Sequence, residues 1–210
     1  MTEAQSEGHA YIRDLAAKLV RSGYSDRNDA LFHVREAIED EEVDMDADAL
    51  VDAAIADLVA EQRDWPRVTD HSRLLAAFAQ LRDQNILARE NWSDEVVAEM
   101  EHANAGGHAV DGYVFFHEQD IGTALDGGGL YLAFGGAETG ASAAVDIGQR
   151  IKAALEAHGL SVDWNGEAEQ RIRVVMPWQA PWPGGPGTAA SPPPTPKGLL
   201  GRIRARLAQR

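Results

Sequence analysis

The chain contains no cysteine. That absence excludes disulfides, thiolate nucleophiles and cysteine-held zinc or iron–sulfur centres, so a metal would have to be held by histidine and carboxylate alone. Proline is nearly missing from the first 176 residues, where Pro66 stands alone; the other eight of nine fall in residues 177–196. Acidic side chains stop at the same boundary, since residues 177–210 carry no Asp or Glu but hold Lys197, Arg202, Arg204, Arg206 and Arg210. No apolar run of about 18 residues occurs, so no stretch reads as a membrane-spanning helix. The opening MTEAQSEGHAY has neither the basic start nor the apolar middle of a signal peptide, which makes the cytoplasm the expected compartment.

What is present is enough for a globular body. Of 210 residues, 44% are hydrophobic, sufficient for one compact domain with appendages or two small ones. The formal charge of −15 is unevenly spread: the first 176 residues hold all 34 acids against 14 bases, a net of −20. A body so acidic repels nucleic acid and anionic lipid, leaving residues 197–210 as the one segment suited to either.

Periodicity divides the body in two. Ile12, Leu15, Ala16, Leu19 and Val20 share a face and predict a short helix over 11–20, ended by Ser22 and Gly23. Asp26 is placed to cap a second helix carrying Leu31, Val34 and Ile38, and a third carries Leu50, Val51, Ile55, Leu58 and Val59. Residues 1–63 therefore read as a helical subdomain.

Trp65 and Pro66 break the pattern. Thr69 or Asp70 then caps a fourth helix with Leu74, Phe78 and Leu81 aligned, 86–92 reads as extended, and 93–103 as a helix. Strands are predicted over 113–116, 130–134, 160–164 and 172–176. A long helix through Ile147, Ile151 and Leu155 precedes the third strand, with Gly159 at its left-handed cap, and Asn165-Gly166 turns the last two strands into a hairpin. The fold class is α+β: for residues 64–178, a mostly antiparallel sheet of four or five strands packed on a long helix. Residues 179–196 (QAPWPGGPGTAASPPPTP) read as a disordered linker. In 197–210, Leu199, Leu200, Ile203 and Leu207 fall on one side of a possible helix and the arginines on the other, an amphipathic basic segment.

Several motifs occur in a set order: Trp65 with Thr69 and Asp70 (W-x-x-x-T-D), Ile86-Leu87-Ala88, then GYVFFHEQD over 112–120 (G-Y-V-F-F-H-x-Q-D), Leu130-Tyr131-Leu132 and Trp164-Asn165-Gly166. Over about residues 10–178 this resembles an uncharacterised bacterial family known as a domain of unknown function. The resemblance implies a fold and no reaction. Members of that family carry a cysteine-rich stretch after the segment matching 87–92, where this chain has Ser93-Asp94-Glu95; any thiol-dependent role is therefore excluded here.

Chemistry-bearing residues concentrate in GYVFFHEQD. His117 with Glu118 and Asp120 offers an acid–base group, and imidazole titrates near neutrality. Against this, alternation along a strand sends His117 and Glu118 to opposite faces, and Asp120 suits capping of a helical turn through Leu125. Thr69, Asp70 and His71 offer a second carboxylate and imidazole at a helix start, although capping alone explains the first two. In residues 39–48 seven acids include Asp44, Asp46 and Asp48 in a D-x-D-x-D spacing. Ala49 stands where a calcium loop needs glycine and Ile55 where it needs glutamate, so a solvated turn with Asp46 or Asp48 as a cap is the better reading. The glycines at 127–129 and 135–136 fit no phosphate-loop pattern and read as turns.

No catalytic constellation is complete, so the expected function is a non-enzymatic binding or regulatory protein acting through an unknown protein partner, with no cofactor and no metal. The alternative is a hydrolase-like enzyme using His117 with Asp120 or Asp70. A third role assigns nucleic-acid or anionic-membrane binding to the tail alone, beside self-docking on the acidic body.

Overall fold

The computed structural model describes residues 3–92, 110–137 and 140–182. Two compact units divide them: residues 3–64 with 181–182 belong to the first, and Trp65–Ala180 is the second. The helix expected over 93–103, the linker from 183 and the basic segment lie outside the described residues. Within 179–182 both Ala180 and Trp182 are buried, so these first residues beyond Trp178 carry side chains out of solvent.

The first unit contains three helices: α1 (Glu3–Ser22), α2 (Arg27–Asp40) and α3 (Ala47–Glu61), followed by a 3₁₀ turn Gln62–Asp64. Helix α1 is longer than its apolar pattern predicts. Over residues 6–10 only Gly8 is buried, and it lets the helix approach Val43, whose Cγ1 would lie 3.1 Å from a Cβ at that position. The starts of α2 and α3 follow from their caps: Asp26 accepts from the N–H groups of Asn28 and Asp29 (2.7 and 2.9 Å), and Asp46 from that of Ala49 (3.0 Å). Ile12, Ala16, Val20, Val34, Val51 and Leu58 fill the space between the helices.

Two members of the acidic run are built into this unit, one as a cap and one as an ion-pair partner. Asp48 accepts from Arg35 (2.7 Å) and Arg27 (3.0 Å), and Arg27 also makes a two-point contact with Asp52 (2.6 and 2.9 Å). The hydrogen bond from Arg35, with that from Arg27, holds the Asp48 carboxyl below the usual carboxylate range. Asp46 is a cap and Asp48 a bracket between α2 and α3, as a solvated turn requires.

In the second unit, Thr69 Oγ1 accepts from the Ser72 N–H (3.2 Å) and starts α4 (Asp70–Asp83). There follow β1 (Ile86–Arg89), β2 (Gly112–Phe115), α5 (Glu118–Leu125), β3 (Leu130–Gly136), α6 (Ala141–Ala157), β4 (Ser161–Asp163) and β5 (Ile172–Val175). The five strands form one sheet in the order β1-β2-β3-β5-β4. Only β1 and β2 run parallel; the other neighbours are antiparallel, as the α+β reading anticipates. Gly159 takes φ +80°, the left-handed cap expected after the long helix.

Alternation gives the sheet two unlike faces. One presents Ile86, Ala88, Val114, Leu130, Leu132, Ile172 and Val174, all buried, to α4 and α6. The other carries a smaller cluster in which Leu87 and Phe115 pack with Trp92, Tyr113 and Ala133. Tyr113 and Gly135 are register partners, and a Cβ at Gly135 would sit 2.6 Å from the Tyr113 hydroxyl, so the phenol lies across the glycine.

The covering helix approaches through Gly148, where a Cβ would lie 2.5 Å from Trp164 Cη2. The indole has little freedom to retreat, because its N–H donates to the carbonyls of Glu167 and Gln170, both at 3.0 Å. Gly148→Ala is expected to lower stability by about 1–2 kcal/mol in urea unfolding, the collision outweighing a helix-propensity gain of about 1 kcal/mol. An unchanged or raised midpoint would show that the indole can move.

Candidate functional site

The GYVFFHEQD segment leaves the sheet earlier than expected. Strand β2 ends at Phe115, His117 is the N-cap residue of α5, and Glu118 is that helix's first residue. The divergence of His117 and Glu118 is thus set by a helix start, not by strand alternation. Extension of the chain past β2 is held from the side: the Trp92 N–H donates to the Phe116 carbonyl (2.9 Å), and the Trp92 carbonyl lies 2.6 Å from His117 Nδ1. Donation from Nδ1 to that carbonyl fixes the neutral imidazole in one tautomer, with the lone pair on Nε2. The ring also meets Phe115 edge-on, with centroids 4.8 Å apart.

Asp120 is not the cap that the sequence suggests but the third residue of α5, and it serves the helix start by reaching back to the cap. Its Oδ2 accepts from the His117 N–H at 2.8 Å. Arg171, at the entry to β5, grips both oxygens with Nη1 and Nη2 at 2.8 and 2.7 Å, and its Nη2 also donates to the Tyr131 carbonyl on β3 (2.9 Å). Three donors converge on one buried carboxylate, which ties together the start of α5, β3 and β5. Such a group holds structure; none of its contacts leaves it aimed at the imidazole ring of His117.

Asp70 is elsewhere. It pairs with Arg73 one turn along α4 (2.9 Å) and makes no hydrogen bond or ion pair with His117 or Asp120. Its neighbour His71 is buried at 6% exposure against the edge of Trp178 (5.2 Å), which in turn meets Phe116 (5.9 Å). Burial pushes the His71 imidazole down to about 4, so it is neutral at physiological pH. An open cavity of about 500 Å³ lies between the start of α4 and the end of α6, lined by Val68, Ser72, Arg73, Ala76 and His158 among others. His117, Asp120 and Asp70 do not line it. Among the described residues, no group of three or more His, Asp or Glu side chains is arranged to hold a metal.

Arg171 is the residue that sequence reasoning missed. Its one visible signal is the alternation Arg171-Ile172-Arg173-Val174, which puts both arginines on the face opposite the core; the partner 51 residues away leaves no local trace.

The family described as domain of unknown function (DUF6891) matches residues 5–181. The chain belongs to this family. No curated protein and no solved structure matches the chain. The DUF6891 match takes in both helical and sheet-bearing segments and ends at residue 181, a few residues into the proline-rich stretch, so all of GYVFFHEQD and its Arg171 clamp fall within it.

Two outcomes follow. Asp120→Asn should cost about 2–3 kcal/mol in urea unfolding, because Arg171 loses a buried counter-charge, whereas Asp70→Asn at a partly exposed pair should change stability by no more than about 0.5 kcal/mol. Equal costs would remove the special role of the Asp120 pair. For His71 the folded-state value lies below the ordinary 6.5, so its neutral form is the one folding favours. Stability contributed this way is complete above pH 6.5 and falls by about 3 kcal/mol as the pH drops to about 4. His71→Phe should flatten the stability profile across that window, and an unaltered slope would count against the burial account.

Proposed function

We propose that this DUF6891 protein is a non-enzymatic binding or regulatory protein that acts through protein contacts. The carrying observation is the commitment of Asp120 to Arg171 and to the His117 N–H, which leaves the most promising carboxylate of the chain engaged in holding α5 to the sheet. Asp70 is likewise paired, and His71 sits in an aromatic core. A histidine base is commonly oriented by a carboxylate on its far ring nitrogen, and Asp120 and Asp70 are instead engaged with Arg171 and Arg73.

One observation favours the hydrolase-like alternative. A ring nitrogen donating to a backbone carbonyl, as His117 Nδ1 does to Trp92, is the arrangement that orients a histidine base or metal ligand. That reading needs His117 to work without Asp120.

A broad hydrolase screen on the full chain and on His117→Ala, run beside affinity capture from native extract, separates the two. The binding reading expects no turnover that depends on His117 and a reproducible captured protein that rebinds when purified. Turnover lost in His117→Ala would replace it with the enzymatic reading. Failure of every captured protein to rebind would remove it.

A further inference from the structure

The outer face of α2 carries Phe32, which at 58% is the most exposed large hydrophobic side chain among the described residues. It takes no part in the helical core, which α2 supplies with Ala30, Leu31 and Val34. At helical spacing round it stand Asp29, Arg35 and Glu36, with Glu39 and Asp40 a turn further on, all exposed. The single cation of this face is committed elsewhere, since Arg35 donates to Asp48 at 2.7 Å. His33 meets Phe32 edge-on at 5.3 Å and faces Glu36 at 3.6 Å. What remains is an aromatic ring bordered by carboxylates, the layout of an anchor within a charged rim.

One segment of the same chain has the complementary chemistry. Residues 197–210 contain five basic residues and no acid, while the rest of the molecule carries a net −20. At 100° per residue, Leu199, Leu200, Ile203 and Leu207 fall within one arc, which Arg210 enters only at the last residue; Arg202 and Arg206 border it on one side and Lys197 and Arg204 on the other. Aliphatic side chains between cations match an exposed phenyl ring between carboxylates. The 14 residues 183–196 separate the last described residue from this segment and span roughly 20 Å as a coil, up to about 45 Å extended. Tethering at that length gives an effective concentration of order millimolar, so the chain's own segment outcompetes dilute external cations.

We propose that residues 197–210 dock on the outer face of α2, the aliphatic arc over Phe32 and the arginines against Asp29, Glu36, Glu39 and Asp40. The contact is intramolecular and stands whatever external partner the protein takes. Binding is electrostatically assisted, so salt loosens it.

The absence of cysteine makes the test clean, because Gln209→Cys introduces a unique thiol for a nitroxide label in the full chain. The expected result is selective loss of amide NMR intensity over residues 28–40, by about half or more, that recovers in Phe32→Ser with Glu36→Lys and in about 0.5 M salt. Both substituted side chains are exposed, so circular dichroism and the unfolding midpoint should match the parent, which confirms that recovery is not unfolding. Intensity loss that is uniform, that centres on another element, or that survives the double substitution would overturn the proposal. So would an α2 that stays sharp while added anionic vesicles or duplex DNA immobilise the label, since the segment's target would then be a membrane or a nucleic acid.

Discussion

One ion pair with a buried carboxylate ties the second unit together. Asp120 and Arg171 bring together a helix start, the backbone of β3 and the entry to β5, three places that no local rule places side by side. A carboxylate with only 8% of its side chain exposed is costly to desolvate unless its oxygens are met by donors, and here Arg171 and the His117 N–H supply them. The same contact sets the arrangement of the most conspicuous polar motif in the sequence. Its carboxylate is spent on architecture, and its histidine is turned toward the Trp92 carbonyl and the Phe115 ring.

A second use of charge operates in the helical unit. There the pairs are exposed, and individually such pairs stabilise little. Arg27 nevertheless spans Asp48 and Asp52 while Arg35 shares Asp48, so two cations and two carboxylates form a connected set between α2 and α3. The set consumes basic groups that would otherwise dilute the acidity of α2's outer surface. Uneven neutralisation, rather than the overall charge, gives that surface its character.

Much of the architecture was legible because helix and strand periods are local. Asp26 caps α2 as read, Asp46 rather than Asp48 and Thr69 rather than Asp70 make the next two caps, and the long helix, its glycine cap and the final hairpin follow from spacing alone. The first half of α1 escaped because polar helix formers with a tight glycine contact leave no apolar stripe to read. The parallel pairing of β1 with β2 also escaped, since strand direction depends on the crossover between them and not on either strand's composition. At the candidate site the part of Asp120 in the helix start was visible, being three residues from its partner. The arginine that completes it was not, because long-range ion pairs carry no periodic signature.

The phenol of Tyr113 lying across Gly135 constrains how relatives can diverge. Neither position can drift alone: a side chain at 135 displaces the ring, and a small residue at 113 strips cover from a glycine near the end of β3. Changes at the two positions should therefore arrive as a pair in descendants of this sequence, a covariation written by one cross-strand contact.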